Sequence, residues 1–596
     1  MSGARVTPRP RRLFLLVATA LLAAFASTPP AALAGGPWHV MSNGTPMAWP
    51  GTPPGPLPVA ISCDVDAGGL GILSHADAIP LLQQALGTWN VVGPVTLSID
   101  SAHPLPDVNA TGFGDTNAGH FSNFWNRSDA VTGSAIKVIF DSDGAIIADL
   151  YGEGAQRDIF GLAIIDTPTP CPPVSSGDIA EASIIINGAM WDGVQPDFLS
   201  TADIRGVMVH ELGHALNLGH SALNAELSDD GDPDNDRYIP TMFPLQTATE
   251  SQLEALKFDD KAAVMGLYGG GANSVAGNIF TDLDHNSIGE AWQGAQVTVR
   301  RADPSPPAPP HADLSQAFSA VSGANFIPTC GTPPAFLEGF WKITGLPAGN
   351  YTICVEQIDT AFSDANASLV GPLATPRLLE GPEECYNGAS ESATAATDDP
   401  DDAPLVAISG TVTGKDIYLN GAPTDDPSEP NNSLTAATDL GPGLVNTIRG
   451  VIGPSAAPGD RDFFKMAVVP GDHVRIDVDA MELDVGVMAP AYPTDAVLTV
   501  YDGAGVPQMS SDDAVDGDSG VLSRDPYLEW VVPPAFTSPL KIGLSCYPDT
   551  TIAGCVTATS HPYWLRVEVR HDQDGDGTTD NLDVCPGDIF DDADKD

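Results

Sequence analysis

The chain has 596 residues, with 25 Lys plus Arg against 78 Asp plus Glu and a formal charge of −53. A protein that grips a phosphate backbone carries the opposite sign, so this balance speaks against nucleic acid as a partner, and the length calls for several domains. Apolar residues make up 42% of the chain, enough for packed cores. Beyond the N-terminal segment, no run of about 18 apolar residues is present to span a membrane.

Arg5, Arg9, Arg11 and Arg12 precede an apolar run from Leu13 to Ala26, and Ala32-Leu33-Ala34 stands before Gly35. This order is that of a secretory signal peptide over residues 1–34, so the mature chain is expected to be extracellular. Eight cysteines in an exported chain point to disulfides. Cys63 and Cys171 share the first domain, Cys330, Cys354 and Cys385 the second, and Cys585 lies near the end. Cys546 and Cys555, close in sequence across a hairpin-like stretch, are the pair most firmly expected.

Residues 35–270 read as an α/β domain. Ser74 and Asp77 open a helix on which Ala78, Leu81, Leu82, Ala85 and Trp89 recur at helical spacing. Strands are expected at Val95–Ile99, Ile136–Phe140 and Ala182–Asn187. Ser200, followed by Asp203, caps the next helix, which carries His210-Glu211-Leu212-Gly213-His214. Residues four apart share a helix face, so His210 and His214 can present two ring nitrogens to one metal ion, with Glu211 beside them as a general base. A helix carried on to His220 would move that side chain roughly 9 Å along the axis from His214 and off the metal-facing side. The helix must therefore stop, and Asn217 stands where a left-handed turn is needed.

The run from His210 to His220 resembles the metzincin zinc-protease signature, with Asn217 in place of its glycine. Pro240-Thr241-Met242-Phe243-Pro244 is similar to the methionine turn beneath the metal in that clan, where Met242 would shape the floor of the site. Pro244 stands where some members carry a tyrosine ligand, which implies three protein ligands, His210, His214 and His220, and an open fourth position. Ala85–Asn90 and Phe258–Gly269 resemble the first and last helices of the matrixins, the matrix-metalloprotease-like branch. By the same resemblance, Ala182–Asn187 would be the sheet's edge strand bordering a substrate cleft. His39, His75 and His120 have no ligand spacing and read as ordinary residues. The acidic run Asp229–Asp236 reads as a solvated loop.

After Gly269-Gly270-Gly271 the helical pattern gives way to short alternating strands over 275–420, such as Gln296–Arg300 and Tyr351–Val355, interrupted by a proline-rich surface loop at 304–310. Gly277–Asn286 and Gly345–Tyr351 resemble the B-type repeats of bacterial surface adhesins, which are β-sandwiches. Asp282, Asp284, Asn286 and Glu290 alternate there as calcium ligands do. Glu429-Pro430-Asn431, Gly459–Phe464 and Pro470–Val474 resemble the bacterial pre-peptidase C-terminal domain, a second β-sandwich over 424–570, where Val474, Ile476 and Val478 alternate as in a half-buried strand. Residues 571–596 are similar to a thrombospondin type 3 repeat, with Asp572, Asp574, Asp576, Asp580 and Asp583 as candidate calcium ligands.

These features imply a multidomain protein: an α/β metzincin-like catalytic domain, two β-sandwich domains and a short calcium-binding tail. The expected function is that of a secreted zinc endopeptidase. Glu211 is its base, extracellular proteins or peptides are its substrates, and the β-domains are its contacts to a matrix or cell surface. The rival reading is a calcium-rich adhesion protein with an idle zinc site. Glu211 separates the two, because a purely structural zinc has no need of a carboxylate beside its fourth position.

Overall fold

The structure, a computed structural model, describes most residues between 35 and 571; the larger segments outside the description are 1–34, 51–58, 109–134, 167–178, 194–199, 246–251, 282–289, 303–311, 324–338, 392–402, 481–495, 516–521, 555–560 and 572–596. The chain forms several units and is mostly β-sheet, with few helices. Among the described residues no helix is long and apolar enough to cross a membrane.

The first unit runs β1 (Val59–Val65), α1 (His75–Asn90), β2 (Val95–Ile99), β3 (Ala135–Asp141), α2 (Ala145–Tyr151), β4 (Gly161–Asp166), β5 (Glu181–Asn187), α3 (Thr201–Ala215) and α4 (Phe258–Tyr268). Its five strands pair in the order β2-β1-β3-β5-β4. All neighbours are parallel except β4 with β5. Parallel strands covered on both faces read as unbroken apolar runs, and β3 is buried at every residue. The strand pairing corrects the strand expected at the sheet edge. Ala182–Asn187 lies within β5, whose two ladders are filled by β3 and β4, and the antiparallel β4 takes the edge instead.

On α1 the residues Ala78, Leu82, Ala85 and Trp89 are buried as expected, together with Leu86, while Leu81 is only partly so. Ser74 is the N-cap, but its hydroxyl donates to the Asp77 carboxylate at 2.6 Å and bonds no backbone amide. On α3 the capping box closes fully: Ser200 Oγ accepts from Asp203 N–H at 3.2 Å and Ser200 N–H donates back to Asp203 Oδ2 at 2.9 Å. From Gly206 to Ala215 this helix is buried on every side, packed on α1, β4 and β5.

The second unit comprises β6 (Ser274–Thr281), β7 (Glu290–Ala291), β8 (Gln296–Ala302), β9 (Ala312–Val321), β10 (Phe340–Thr344), β11 (Gly349–Glu356), β12 (Glu384–Cys385), β13 (Val406–Ile408), β14 (Thr411–Val412) and β15 (Ile417–Tyr418). One sheet is built on β6 and the other follows β12-β11-β8-β9, and their apolar faces meet in a sandwich-like arrangement. Cys354 and Cys385, partners in the β11–β12 register, form a disulfide. Cys63 is a free, buried thiol, which corrects its grouping with Cys171. Cys171, Cys330 and Cys585 lie outside the described residues. Cys546 is disulfide-bonded, and Cys555, its expected partner, also lies outside the described residues.

The core does not stop at the Gly269–Gly271 break. Val275, Ile279, Trp341 and Phe318 of the second unit belong to the same buried cluster as Trp89, Leu212 and Met242 of the first.

The third unit has β16 (Thr438–Asp439), β17 (Val445–Ile452), β18 (Asp462–Met466), β19 (His473–Ala480), β20 (Ala496–Tyr501), β21 (Pro507–Ser511), β22 (Ala514–Val515), β23 (Leu522–Ser523), β24 (Tyr527–Val531), β25 (Leu540–Cys546) and β26 (His561–Arg570). Sheets β16-β18-β25-β20-β21 and β17-β26-β19-β24 share one core, with Val474, Ile476 and Val478 of β19 turned into it.

Candidate metal centre

The last turn of α3 would leave its terminal carbonyls orphaned, since the chain turns away after Leu216. Two tertiary donors and one local one satisfy them: Trp49 Nε1–H bonds the Ala215 carbonyl at 2.8 Å, Tyr268 O–H bonds that of Leu216 at 2.9 Å, and, just past the helix end, Leu218 N–H bonds that of Gly213 at 3.0 Å. Asn217 turns the chain with φ of +69°. Its amide side chain also accepts from His39 N–H at 2.7 Å and donates to the carbonyls of His39 and Met47, each at 2.8 Å. A glycine could make the turn but could not hold this N-terminal segment. His39 thus meets the turn through its backbone, and its ring is not part of the histidine group.

The turn brings His210, His214 and His220 together, with a nitrogen of each ring within 4.8 Å of the others. Each Nδ1 faces a backbone carbonyl: Thr241 for His210 at 2.7 Å, Leu218 for His214 at 2.7 Å and Leu369 for His220 at 3.1 Å. A carbonyl can only accept, so each Nδ1 carries the hydrogen and each Nε2 presents a lone pair. The Nε2 atoms of His210 and His214 face one another at 2.9 Å, and Nε2 of His220 is buried with no hydrogen-bond partner. Burial also lowers all three imidazoles, His210 to about 4, which keeps them neutral. Buried neutral imidazoles with converging lone pairs and oriented Nδ1–H groups are the donor set of a zinc ion.

Glu211, next to His210 on α3, is buried as well. Its Oε2 is buried and without a hydrogen-bond partner, and burial raises its carboxyl well above the usual carboxylate range. Gly161 of β4 leaves room for its other oxygen: a Cβ added there would lie 2.5 Å from Glu211 Oε1. The sequence offered no signal for Gly161, because the contact joins residues far apart in the chain.

Met242 packs against α3 at Gly213. Gly213 leaves the space that the Met242 thioether and the Trp89 ring fill. The turn is pinned by Asp260, whose carboxylate accepts from Thr241 N–H and Met242 N–H, both at 3.0 Å. The adjacent Asp259 is buried between Ser221 and Ser319 and accepts from both hydroxyls. Burial pushes Asp259 up to about 7 against the pull of those bonds. The unfolded carboxyl, near 3.8, loses its proton first, so between those two values the folded state holds the extra proton. Stability therefore falls as pH rises from about 4 to about 7 and levels off above. Asp66 and Asp141, both raised to about 6 chiefly by burial, add to the same slope. In a series of melting temperatures across this range, Asp259→Asn is expected to flatten the fall, and an unchanged slope would contradict the assignment.

Of the candidate calcium residues, Asp282, Asp284, Asn286, Asp572, Asp574, Asp576, Asp580 and Asp583 lie outside the described residues. Glu290 is half-buried at the start of β7. A different acidic group does come together in the third unit. Glu429, Asp460 and Asp462 place carboxylate oxygens within 4.8 Å of one another. Beside Glu429, the Asn431 side chain is fully buried with both of its polar atoms unpartnered, as is one oxygen of Asp462. An oxygen-only set of this kind suits a hard cation.

No protein-family model matches the chain. Over 153 residues, 25% of its length, the chain is 28% identical to Metalloendoproteinase 5-MMP of Arabidopsis thaliana and spans 38% of that protein. Among solved structures it is similar to the pre-peptidase C-terminal domain of a collagenase from Bacillus anthracis, at 12% identity and a TM-score of 0.15, covering 22% of this chain and 94% of that domain. It is also similar to the major pilin SpaD of Corynebacterium diphtheriae, at 10% identity and a TM-score of 0.13, covering 50% of this chain and 58% of the pilin. The likeness to a metalloendoproteinase thus covers a quarter of the chain.

Proposed function

We propose that the chain is a secreted, zinc-dependent endopeptidase of matrixin type that cleaves extracellular proteins or peptides. In this reading residues 1–34 are a signal peptide, 35–270 the α/β catalytic domain, 275–420 and 424–570 β-sandwich domains that contact a matrix or cell surface, and 571–596 a calcium-binding tail. The observation that carries it is the convergence of three buried imidazole nitrogens, together with a buried, unpartnered oxygen on Glu211, the residue next to His210 on α3.

His210, His214 and His220 would hold the metal, with their Nδ1–H bonds to backbone carbonyls fixing each ring. Zinc, when bound, supplies a Lewis acid and lowers the pKa of a water in its fourth position. Glu211 Oε2 would take a proton from the attacking water and return it to the departing amine. The raised basicity that burial gives Glu211 suits that exchange, and Gly161 leaves the room its carboxylate occupies. An extended substrate would add to the sheet along β4, the edge strand whose first residue touches Glu211. Calcium would occupy the acidic loops and the cluster at Glu429, Asp460 and Asp462. At that cluster, Glu429→Gln is expected to shrink the rise in melting temperature that calcium gives; an equal rise would contradict it.

The near-complete burial of the four side chains favours one other reading, an enclosed zinc that serves only the fold. A structural site fills its fourth position with a protein ligand, and among the described residues no fourth His, Cys, Asp or Glu joins the three histidines. The test is cleavage of an unstructured protein such as casein. Activity lost on chelation and restored by added zinc is expected, and activity indifferent to chelation would overturn the proposal.

A further inference from the structure

The third imidazole is held from outside the first unit. Past the turn at Asn217, the backbone at His220 joins the segment Leu369–Gly371 of the second unit. His220 forms a parallel bridge with Val370, and Gly371 N–H donates to the His220 carbonyl at 2.8 Å. The carbonyl that receives His220 Nδ1–H is that of Leu369, 149 positions away, whereas His210 and His214 find theirs at Thr241 and Leu218. One segment of the second unit therefore sets both the place of the His220 backbone and the tautomer of its ring.

This contact has little slack. A Cβ at Gly219 would lie 2.6 Å from Gly371 Cα, and Gly371 has φ of +52° with Gly35 and Val321 packed close on it. The surrounding interface is buried and specific. Ser319 N–H donates to Asp259 at 2.7 Å, and Arg300 reaches Asn224 Oδ1 at 3.2 Å. Phe362 meets Phe243 of the methionine turn edge to face at 5.7 Å, within a cluster that also joins Val370 and Leu373 to Ala222 and Ile239.

We propose that Leu369–Gly371 is a positioning element of the metal centre, so that the second unit sets the affinity for zinc and the two units act as one catalytic body. This inference rests on the zinc reading above. The second unit is then no detachable adhesive module, and the composition break at Gly269–Gly271 is not a functional boundary.

The test uses the full chain. Gly371→Pro deletes the N–H that bonds His220 and cannot adopt the positive φ. Partners of metal-bound histidines typically set affinity by about 10–100-fold, and a loss of that size is expected in chelator competition. The visible spectrum of the cobalt-substituted variant is expected to shift, since it reports the geometry of the ligands. Gly371→Ala keeps the N–H while crowding Gly35 and Val321, and should show a smaller loss in the same direction if the proline variant does not fold. Ile417→Ala empties a fully buried position on β15 and should lower the melting temperature with zinc affinity and cobalt spectrum unchanged. Wild-type affinity in both Gly371 variants, or an equal loss in Ile417→Ala, would overturn the inference. A wild-type chain that binds no zinc would overturn the zinc reading itself.

Discussion

Replacing Glu211 with Gln is expected to lower cleavage by roughly 10²–10⁴-fold, the usual contribution of a positioned general base, with zinc content unchanged. Gln keeps the shape that fits against Gly161 but cannot accept the water's proton. The ligand rings donate their Nδ1–H bonds to the carbonyls of Thr241, Leu218 and Leu369, not to Glu211, so the metal set survives the change. The comparison is made on metal-loaded protein, by initial rate alongside metal content. Full activity in Glu211→Gln would remove the base from the mechanism; loss of zinc with activity would make Glu211 a ligand instead.

The second large effect reverses a general rule. In an exposed helix interior, Gly→Ala stabilises by up to about 1 kcal/mol. Gly213 sits within α3, yet Gly213→Ala is expected to destabilise. The added methyl would enter the Met242 thioether and stand 2.9 Å from the Trp89 ring. Neither can retreat easily: Trp89 Nε1–H is bonded to the Val209 carbonyl, and the Met242 backbone is bonded to Asp260. Overpacking of a tight core costs about 1–3 kcal/mol, more than the propensity gain. A lower melting temperature and weaker zinc retention are expected, because Gly213 adjoins His214. A higher melting temperature in Gly213→Ala would show that the floor of the site is loose.

What could be read from the sequence was local. The spacing of His210 and His214, the turn at Asn217 and the capping box at Ser200 depend on neighbours within a few positions, and the structure shows the turn and the box as expected. The apolar runs of β3 and β5 marked strands, but periodicity cannot say which strand lies at the edge, since strand order is fixed by pairings far apart in the chain. Leu369 escaped notice because a backbone carbonyl has no side-chain signature. Gly161 and Gly213 matter through the space they leave, which appears only once β4, α1 and the methionine turn close on α3. The composition change at Gly269–Gly271 did mark the end of helical patterning, yet the buried core runs across it.

The most direct measurement is the zinc content of the purified full chain beside that of His220→Ala, by elemental analysis after dialysis. About one zinc per chain in the wild type, and far less in the variant, is the predicted result. Zinc absent from the wild type, or retained equally without His220, would contradict the assignment of the metal centre.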